Sequence, residues 1–216
     1  SYWSGFGHVI ILTLIQLGGL GLLTVVASFF AISKRRMNFK YVRAVQDATG
    51  SEGFSDLYRI VRFVIAFTLS VELLGGLILS WRYTFYMPIG EAFVRGLFQG
   101  VSAFCNAGFD LLGTWSGPYS SLMAFSADPI ILITTGLLIT FGGLGFLVFL
   151  DLFMFPKTKK LFFHSKLVLI MTIGILVAGT IAFVLLEWNN NEAGSMGSMS
   201  TGEKILAGFF QTVTLR

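Results

Sequence analysis

The residues with the clearest potential for chemistry lie between Gly100 and Asp110, in the sequence GVSAFCNAGFD. Backbone carbonyl oxygens of an irregular segment can replace the water around a cation. Carbonyls without a ring of carboxylates suit a weakly hydrated monovalent cation better than a divalent one. Gly108 would supply a backbone conformation or a close approach that a side chain forbids. The predicted site therefore acts through four main-chain groups, with the cation at the first two: Cys105, Asn106, Ala107 and Gly108.

The segment before this site predicts a helix too short to cross a membrane. Residues 91–103 would form about 20 Å of helix, whereas the hydrocarbon core of a bilayer is roughly 30 Å thick. Non-helical backbone at membrane depth is tolerated only when it is buried in protein or lines a water-filled path. We therefore expect a re-entrant pore loop, with a pore helix at 91–103 and a filter segment at 104–109.

Composition places the chain in a lipid bilayer. Hydrophobic residues make up 55% of the sequence and charged residues only 12%, which excludes a soluble domain and a disordered chain. The one cysteine forms no internal disulfide, and the two histidines lack the neighbours of a metal site. No nucleophile–base pair or phosphate-binding Gly-Lys-Ser/Thr motif occurs. We expect an all-α polytopic membrane protein that is not an enzyme and holds no cofactor.

Four apolar runs predict spanning helices: residues 8–32, 57–81, 130–155 and 166–188. Pro129 precedes the third run, where proline favours a helix start. Glu72 lies well inside the second run, and an intramembrane carboxylate is a functional candidate. It would either support the pore structurally by accepting hydrogen bonds from a neighbouring loop, or contact the cation directly. The structural role is the favoured one.

Two internal matches reveal a repeat. Gly18-Gly-Leu-Gly21 matches Gly142-Gly-Leu-Gly145, and residues 96–102 match residues 208–214. The repeating unit is a span, a half-helix with its loop, a second span and a basic loop. Glycines in such motifs let another segment come close, so we predict a pore-supporting packing face, with direct contact to the permeation path as the alternative. The glycines concerned are Gly18, Gly19, Gly21, Gly142, Gly143 and Gly145.

The basic residues determine the orientation. Residues 34–62 and 157–166 contain 11 of the 15 lysines and arginines. If the pore loop crossed the membrane completely, these two loops would lie on opposite sides, against the positive-inside rule. Both loops are therefore predicted to be cytoplasmic in the cell membrane, with the pore loop opening to the outside. A lipid-headgroup or nucleic-acid patch is the alternative, but topology alone explains the charge, so no nucleic-acid partner is expected.

These pieces resemble a known family. Val101-Ser-Ala-Phe-Cys-Asn-Ala-Gly-Phe109 looks like the second selectivity-filter loop of the Trk/Ktr/HKT superfamily of potassium transporters. Residues 16–21 resemble the helix after its first filter, and residues 210–216 resemble the approach to its third. The entry to the fourth span, Phe163-His-Ser-Lys-Leu-Val168, looks most like the Ktr-type membrane subunit.

The resemblance implies four such units in a pseudo-fourfold arrangement around one pore, with Gly108 as a filter glycine. On this interpretation the chain is a fragment. Residues 1–56 hold the last span of the first unit, residues 57–165 the second unit, and residues 166–216 the first span and pore helix of the third. The resemblance also implies a homodimer bound at its cytoplasmic side by an RCK-type, nucleotide-binding regulatory ring. K⁺ would be the transported ion and Na⁺ a candidate activator.

The leading hypothesis is therefore a potassium-translocating subunit that passes ions down their gradient under gating. The alternative is a secondary transporter of another small solute with broken helices. Such folds often contain inverted repeats, whereas the repeats here run parallel. A membrane-embedded enzyme is a third possibility, but it would need a nucleophile–base pair or a metal site, and the sequence shows neither.

Overall fold

Helices form all of the regular structure in the described part of the chain. The computed structural model describes residues 3–20, 54–117, 120–190 and 196–215, and no strand occurs within these ranges. The predicted all-α class is confirmed. In chain order the α-helices are α1 (Gly5–Gly19), α2 (Phe54–Tyr83), α3 (Ile89–Phe104), α4 (Gly113–Ser116), α5 (Pro129–Leu144), α6 (Phe146–Thr158), α7 (Phe163–Glu187) and α8 (Thr201–Leu215).

Two of these helices are long and apolar enough to cross a bilayer. They are the part of α2 from Val61 to Tyr83 and the whole of α7. The corresponding predicted spans were 57–81 and 166–188. Of the first predicted span, 8–32, the structure shows α1, and the remainder with Gly21 lies outside the described residues. The chain thus has the helices of a multi-pass membrane protein.

The third predicted span differs from the structure. Residues 130–155 are not one helix, because α5 ends at Leu144, α6 begins at Phe146, and the two axes are bent by 93°. Gly145 between them has φ 82° and ψ 147°, a conformation almost restricted to glycine. That conformation interrupts the helical hydrogen bonds while both flanking segments stay apolar, so hydropathy alone predicted a continuous span.

Aromatic packing holds α6 in its turned position. The rings of Phe149 and Phe67 have centroids 4.5 Å apart, and Phe153 meets Phe63 edge-on at 5.0 Å. Both partners belong to α2. The bend at Gly145 therefore brings α6 onto the side of α2.

Glycines let α2 and α3 cross at very short distance. A Cβ atom added at Gly100 would lie only 2.8 Å from the Cα atom of Gly76, and Gly96 meets the backbone of Ser80 equally closely. Small residues allow this backbone contact in membrane helix pairs. The result is a tight pair in which the half-helix α3 lies against the long helix α2.

An ion pair between a half-buried arginine and a buried aspartate joins the end of α2 to the start of α5. Asp128 Oδ1 accepts the N–H of Ile130, which caps α5. Its Oδ2 accepts hydrogen bonds from Arg82 Nε at 2.6 Å and from the Tyr86 hydroxyl at 2.7 Å. Burial would raise the pKa of Asp128, but these hydrogen bonds lower it below its usual value, and the same bond raises the pKa of Tyr86.

The predicted repeat is visible in the packing. The half-helices α3 and α8 both pack on α5, and each also packs against the long helix that precedes it, α2 or α7. They span 16 and 15 residues, and the sequence predicted the first of them at 91–103. Ser200 and Glu203 form reciprocal backbone-to-side-chain bonds at the start of α8. Two long helices thus each carry one half-helix.

Candidate cation site

The loop after α3 is held by its N–H groups. Cys105 N donates to Val101 O at 2.9 Å, Asn106 N to Ala103 O at 3.1 Å, and Ala107 N to Ser102 O at 2.9 Å. Within the described part of the chain, no hydrogen bond reaches the carbonyl oxygens of residues 105–108. Four consecutive carbonyls are therefore available for a ligand, while the N–H side of the loop is anchored to the helix.

Backbone dihedrals alternate along this loop. Asn106 has φ 53° and Gly108 has φ 73°, whereas Ala107 between them has an ordinary negative φ. Asn and Gly are the residues that tolerate positive φ best. In a regular strand successive carbonyls point to opposite sides, and alternation of the sign of φ allows them to face one side. The residue types at 106 and 108 thus match a conformation that can aim several oxygens at one ion.

Conformation, rather than space, explains Gly108. A Cβ atom added there would meet nothing within 4 Å, yet the positive φ would strain any L residue with a side chain. The sequence left two reasons for this glycine open, and the structure favours the backbone conformation.

Ser102 anchors the end of the loop at Phe109. Its side chain is 1% exposed, and its hydroxyl donates to Phe109 O at 2.5 Å. Beyond it, Asp110 Oδ1 accepts the N–H of Leu112 at 2.9 Å. Ser102 was not among the site residues predicted from the sequence. The available signal was its hydroxyl in the last turn of the half-helix, repeated as Thr214 at the matching position of α8.

Glu72 lies directly behind the start of the loop. It is 3% exposed, and its Oε1 accepts hydrogen bonds from Gln16 Nε2 at 3.1 Å and from Cys105 Sγ at 3.4 Å. Its Oε2 is buried and has no hydrogen-bond partner among the described residues. The structure therefore brings Glu72 to a predicted site residue, with a thiol and an amide as donors.

Two glycines of the repeated motif contact the end of α3. A Cβ atom at Gly19 would lie 2.7 Å from Cys105 Cβ, and one at Gly142 would lie 2.7 Å from the carbonyl carbon of Phe104. By contrast, Gly18 faces open space, Gly143 is exposed, and Gly145 forms the bend described above. The two copies of the motif thus place one glycine against the last residue of α3 and one against the residue that follows it.

A polar cavity of about 400 Å³ borders the loop between α3, α5 and α8. Asn106, Gly108 and Asp110 line it, together with Gln99 and Thr135. Gln99 Oε1 and Thr135 Oγ1 are buried there without a hydrogen-bond partner in the part of the chain that the structure describes. Since a water molecule takes up about 30 Å³, the cavity has room for several, and the irregular backbone borders a space that can be hydrated.

No cluster of three or more histidine, cysteine, aspartate or glutamate side chains that could hold a metal ion occurs within the described ranges. The groups that line the cavity include carbonyl, hydroxyl and amide oxygens together with the Asp110 carboxylate.

Comparisons with known proteins agree on one family. The family model TrkH, described as a cation transport protein, matches residues 2–216. The chain is 31% identical over 216 residues to the potassium/sodium uptake protein NtpJ of Enterococcus hirae, covering all of this chain and 46% of that protein. It is 35% identical over 212 residues to the Ktr system potassium uptake protein B of Vibrio alginolyticus, covering 97% of this chain and 45% of that protein.

A third relative is the Ktr system potassium uptake protein B of Bacillus subtilis. It is 33% identical over 217 residues, which cover all of this chain and 47% of that protein. The chain thus spans a little under half the length of these relatives. All of these matches are to transport proteins, in agreement with the prediction that the chain is not an enzyme.

Proposed function

Because the chain belongs to the TrkH family of cation transport proteins, within the Trk/Ktr superfamily and similar to the Ktr membrane subunit, we propose that it conducts K⁺ as the membrane subunit of a potassium uptake system. The ion would pass down its electrochemical gradient through a filter formed by the carbonyls of residues 105–108. The observation that carries this proposal is the row of four carbonyls without hydrogen bonds, with positive φ at Asn106 and Gly108.

The loop is suited to replacing hydration water. An entering ion loses water, and the carbonyl oxygens take its place at little cost because the loop is already anchored. The N–H bonds to α3 anchor its inner part, and the Ser102 hydroxyl anchors its outer end. The C-terminal end of α3 adds partial negative charge next to Cys105, which favours a cation at that point.

The pore-supporting roles follow from the contacts of the loop. Gly19 and Gly142 allow the neighbouring helices to touch the end of α3, and Glu72 accepts the thiol of Cys105. Gly18, Gly21, Gly143 and Gly145 are assigned to the same supporting motifs by the repeat. Direct coordination of the ion by Glu72 is not part of the proposal, because its free oxygen is buried behind the loop.

The architecture around the site is also part of the proposal. Residues 1–56, 57–165 and 166–216 would belong to three successive units of a pseudo-fourfold pore, as the pairing of α2 with α3 and of α7 with α8 supports. Both basic loops would face the cytoplasm and the pore loop the outside. The protein would form a homodimer and bind an RCK-type regulatory ring at its cytoplasmic side, with Na⁺ as a candidate activator.

The filter assignment can be tested with the complete protein in proteoliposomes. Gly108→Ser should abolish most of the preference for K⁺ or Rb⁺ over Na⁺, because serine disfavours φ 73°. Gly117→Ser is the matched control: Gly117 also has positive φ and open space around it, but lies in the outer connection. The control should keep the preference. An unchanged preference in Gly108→Ser would overturn the assignment.

A further inference from the structure

Gln16, Glu72 and Cys105 form a hydrogen-bonded group that joins α1, α2 and the start of the loop, here called the Glu72 brace. We infer that this brace is a specificity-determining element, in which Glu72 and Gln16 position the first filter residue through the Cys105 side chain. This inference rests on the proposed function of the loop. It adds a role for a thiol in a site otherwise built from backbone atoms.

In the part of the chain that the structure describes, backbone hydrogen bonds hold only the N–H side of Cys105. Its N–H is bonded to Val101 O, but its carbonyl accepts no hydrogen bond among the described residues. The peptide group between Cys105 and Asn106 is anchored through Asn106 N alone, at 3.1 Å to Ala103 O. The oxygen that would face the ion therefore needs a further restraint to keep its direction.

Two further contacts restrain the side chain of Cys105. Cys105 Cβ lies where a side chain at Gly19 would come within 2.7 Å, so α1 closes the space beside it. Glu72 Oε1 accepts a hydrogen bond from Cys105 Sγ at 3.4 Å. Because Cβ and the carbonyl carbon are bonded to the same Cα atom, confining the side chain fixes the Cα atom from which the carbonyl projects, and the bond from Asn106 N to Ala103 O then limits rotation of the peptide group.

The carboxylate is itself held in place. Glu72 is an acceptor-only group when ionised, and both of its donors among the described residues converge on Oε1. Gln16 lies 56 residues before Glu72 in the sequence, and Cys105 lies 33 residues after it. The brace thus ties the helix assigned to the first unit to the filter loop of the second.

The brace is particular to this place in the repeat. The interior of α7, the helix that corresponds to α2 in the next unit, contains no carboxylate, and its only acidic residue is Glu187 at its end. A general requirement of every unit for membrane packing would not explain Glu72. A role at this particular loop does.

The experiment compares single variants of the complete protein in proteoliposomes, measuring both Rb⁺ uptake and its inhibition by Na⁺. Cys105→Ala removes the donor and Cys105→Ser keeps one. We expect Cys105→Ala to lower the Rb⁺-over-Na⁺ preference roughly tenfold, within the usual range of coupling between sites. Cys105→Ser should stay within about twofold of the wild type, because its hydroxyl can still donate to Glu72.

Glu72→Met and Gln16→Leu test the other two members. Each variant should reduce the Rb⁺-over-Na⁺ preference. The Glu72→Met/Cys105→Ala double variant should lose no more of this preference than the more affected single variant, because both substitutions remove the same hydrogen bond. Ser80→Ala is the matched control, because it removes a buried hydroxyl that joins α2 to α3 without touching the loop. It should lower thermal stability and keep the preference.

The outcomes separate the two proposals. If the wild type shows no K⁺-selective flux, or if Gly108→Ser keeps it, the proposed function fails. If the wild type is selective and Gly108→Ser is not, while Cys105→Ala and Gln16→Leu keep the full preference, the brace is only structural and the inference is wrong. Should Glu72→Met fail to fold, Cys105→Ala and Gln16→Leu still decide the question.

Discussion

The contact between Gly142 and the end of the pore helix allows a quantitative prediction. A Cβ atom at Gly142 would lie 2.7 Å from the carbonyl carbon of Phe104 and closer still to its oxygen. Normal contacts of a Cβ atom lie at 3.4–4 Å, and the carbonyl oxygen is the nearest atom, so Gly142→Ala requires α5 and the end of α3 to separate by more than about 1 Å. Both contacting atoms belong to backbone, which cannot rotate out of the way as a side chain can.

The expected cost follows from two opposing effects. Overpacking of a tight contact costs about 1–3 kcal/mol, whereas replacing a helical glycine by alanine gains about 1 kcal/mol in helix propensity. We therefore expect a net loss of about 0–2 kcal/mol in the free energy of unfolding. The larger effect should be functional, because Phe104 directly precedes Cys105, and a displacement of about 1 Å there would misplace the filter carbonyls.

Thermal unfolding in detergent and Rb⁺/Na⁺ competition in proteoliposomes measure the two effects. Gly174→Ala in α7 is the matched control, since a Cβ atom there meets nothing within 4 Å. The control should be as stable as the wild type or slightly more stable, with normal selectivity. If Gly142→Ala matched this control in both measurements, the close packing of α5 on α3 would be refuted.

Three further predictions concern other contacts. Asp128→Asn should lower the free energy of unfolding at neutral pH by about 1–3 kcal/mol, because it weakens charged hydrogen bonds. Folding lowers the pKa of Asp128, so its stabilisation is present above the unfolded pKa of about 4 and is lost as the pH falls through the native pKa. The melting temperatures of the wild type and the variant should therefore converge in acid. Ser102→Ala should reduce the Rb⁺-over-Na⁺ preference, because it releases the carbonyl of Phe109. Ser70→Ala removes an exposed hydroxyl that is bonded within α2, and it should keep the preference. Equal effects of the two substitutions would contradict the anchoring role of Ser102. Gly145→Ala should lower the free energy of unfolding by about 1–3 kcal/mol or straighten the bend between α5 and α6. Spin labels at the ends of these two helices measure the bend. Wild-type distances together with unchanged stability would contradict the requirement for glycine.

The sequence by itself determined the class of the protein and the place where the half-helix ends. Apolar runs of membrane length leave few alternatives to spanning helices, because every backbone polar group in the bilayer must be bonded within the chain. The half-helix was predicted to end at residue 103, because a segment of that length is too short to cross a bilayer and Asn106 and Gly108 follow it. The structure ends α3 at Phe104 and gives both Asn106 and Gly108 a positive φ.

Only the tertiary structure decided which residues of the neighbouring helices contact the loop and the end of α3. A bent and a straight α5–α6 segment have the same hydropathy, so the 93° break at Gly145 leaves no trace in the apolar pattern. The six motif glycines are equivalent in sequence, yet among those described only Gly19 and Gly142 contact the pore helix, because helix packing selects which face is turned inward. The Glu72 brace joins residues far apart in the chain, and such a contact exists only once α1, α2 and α3 have packed together.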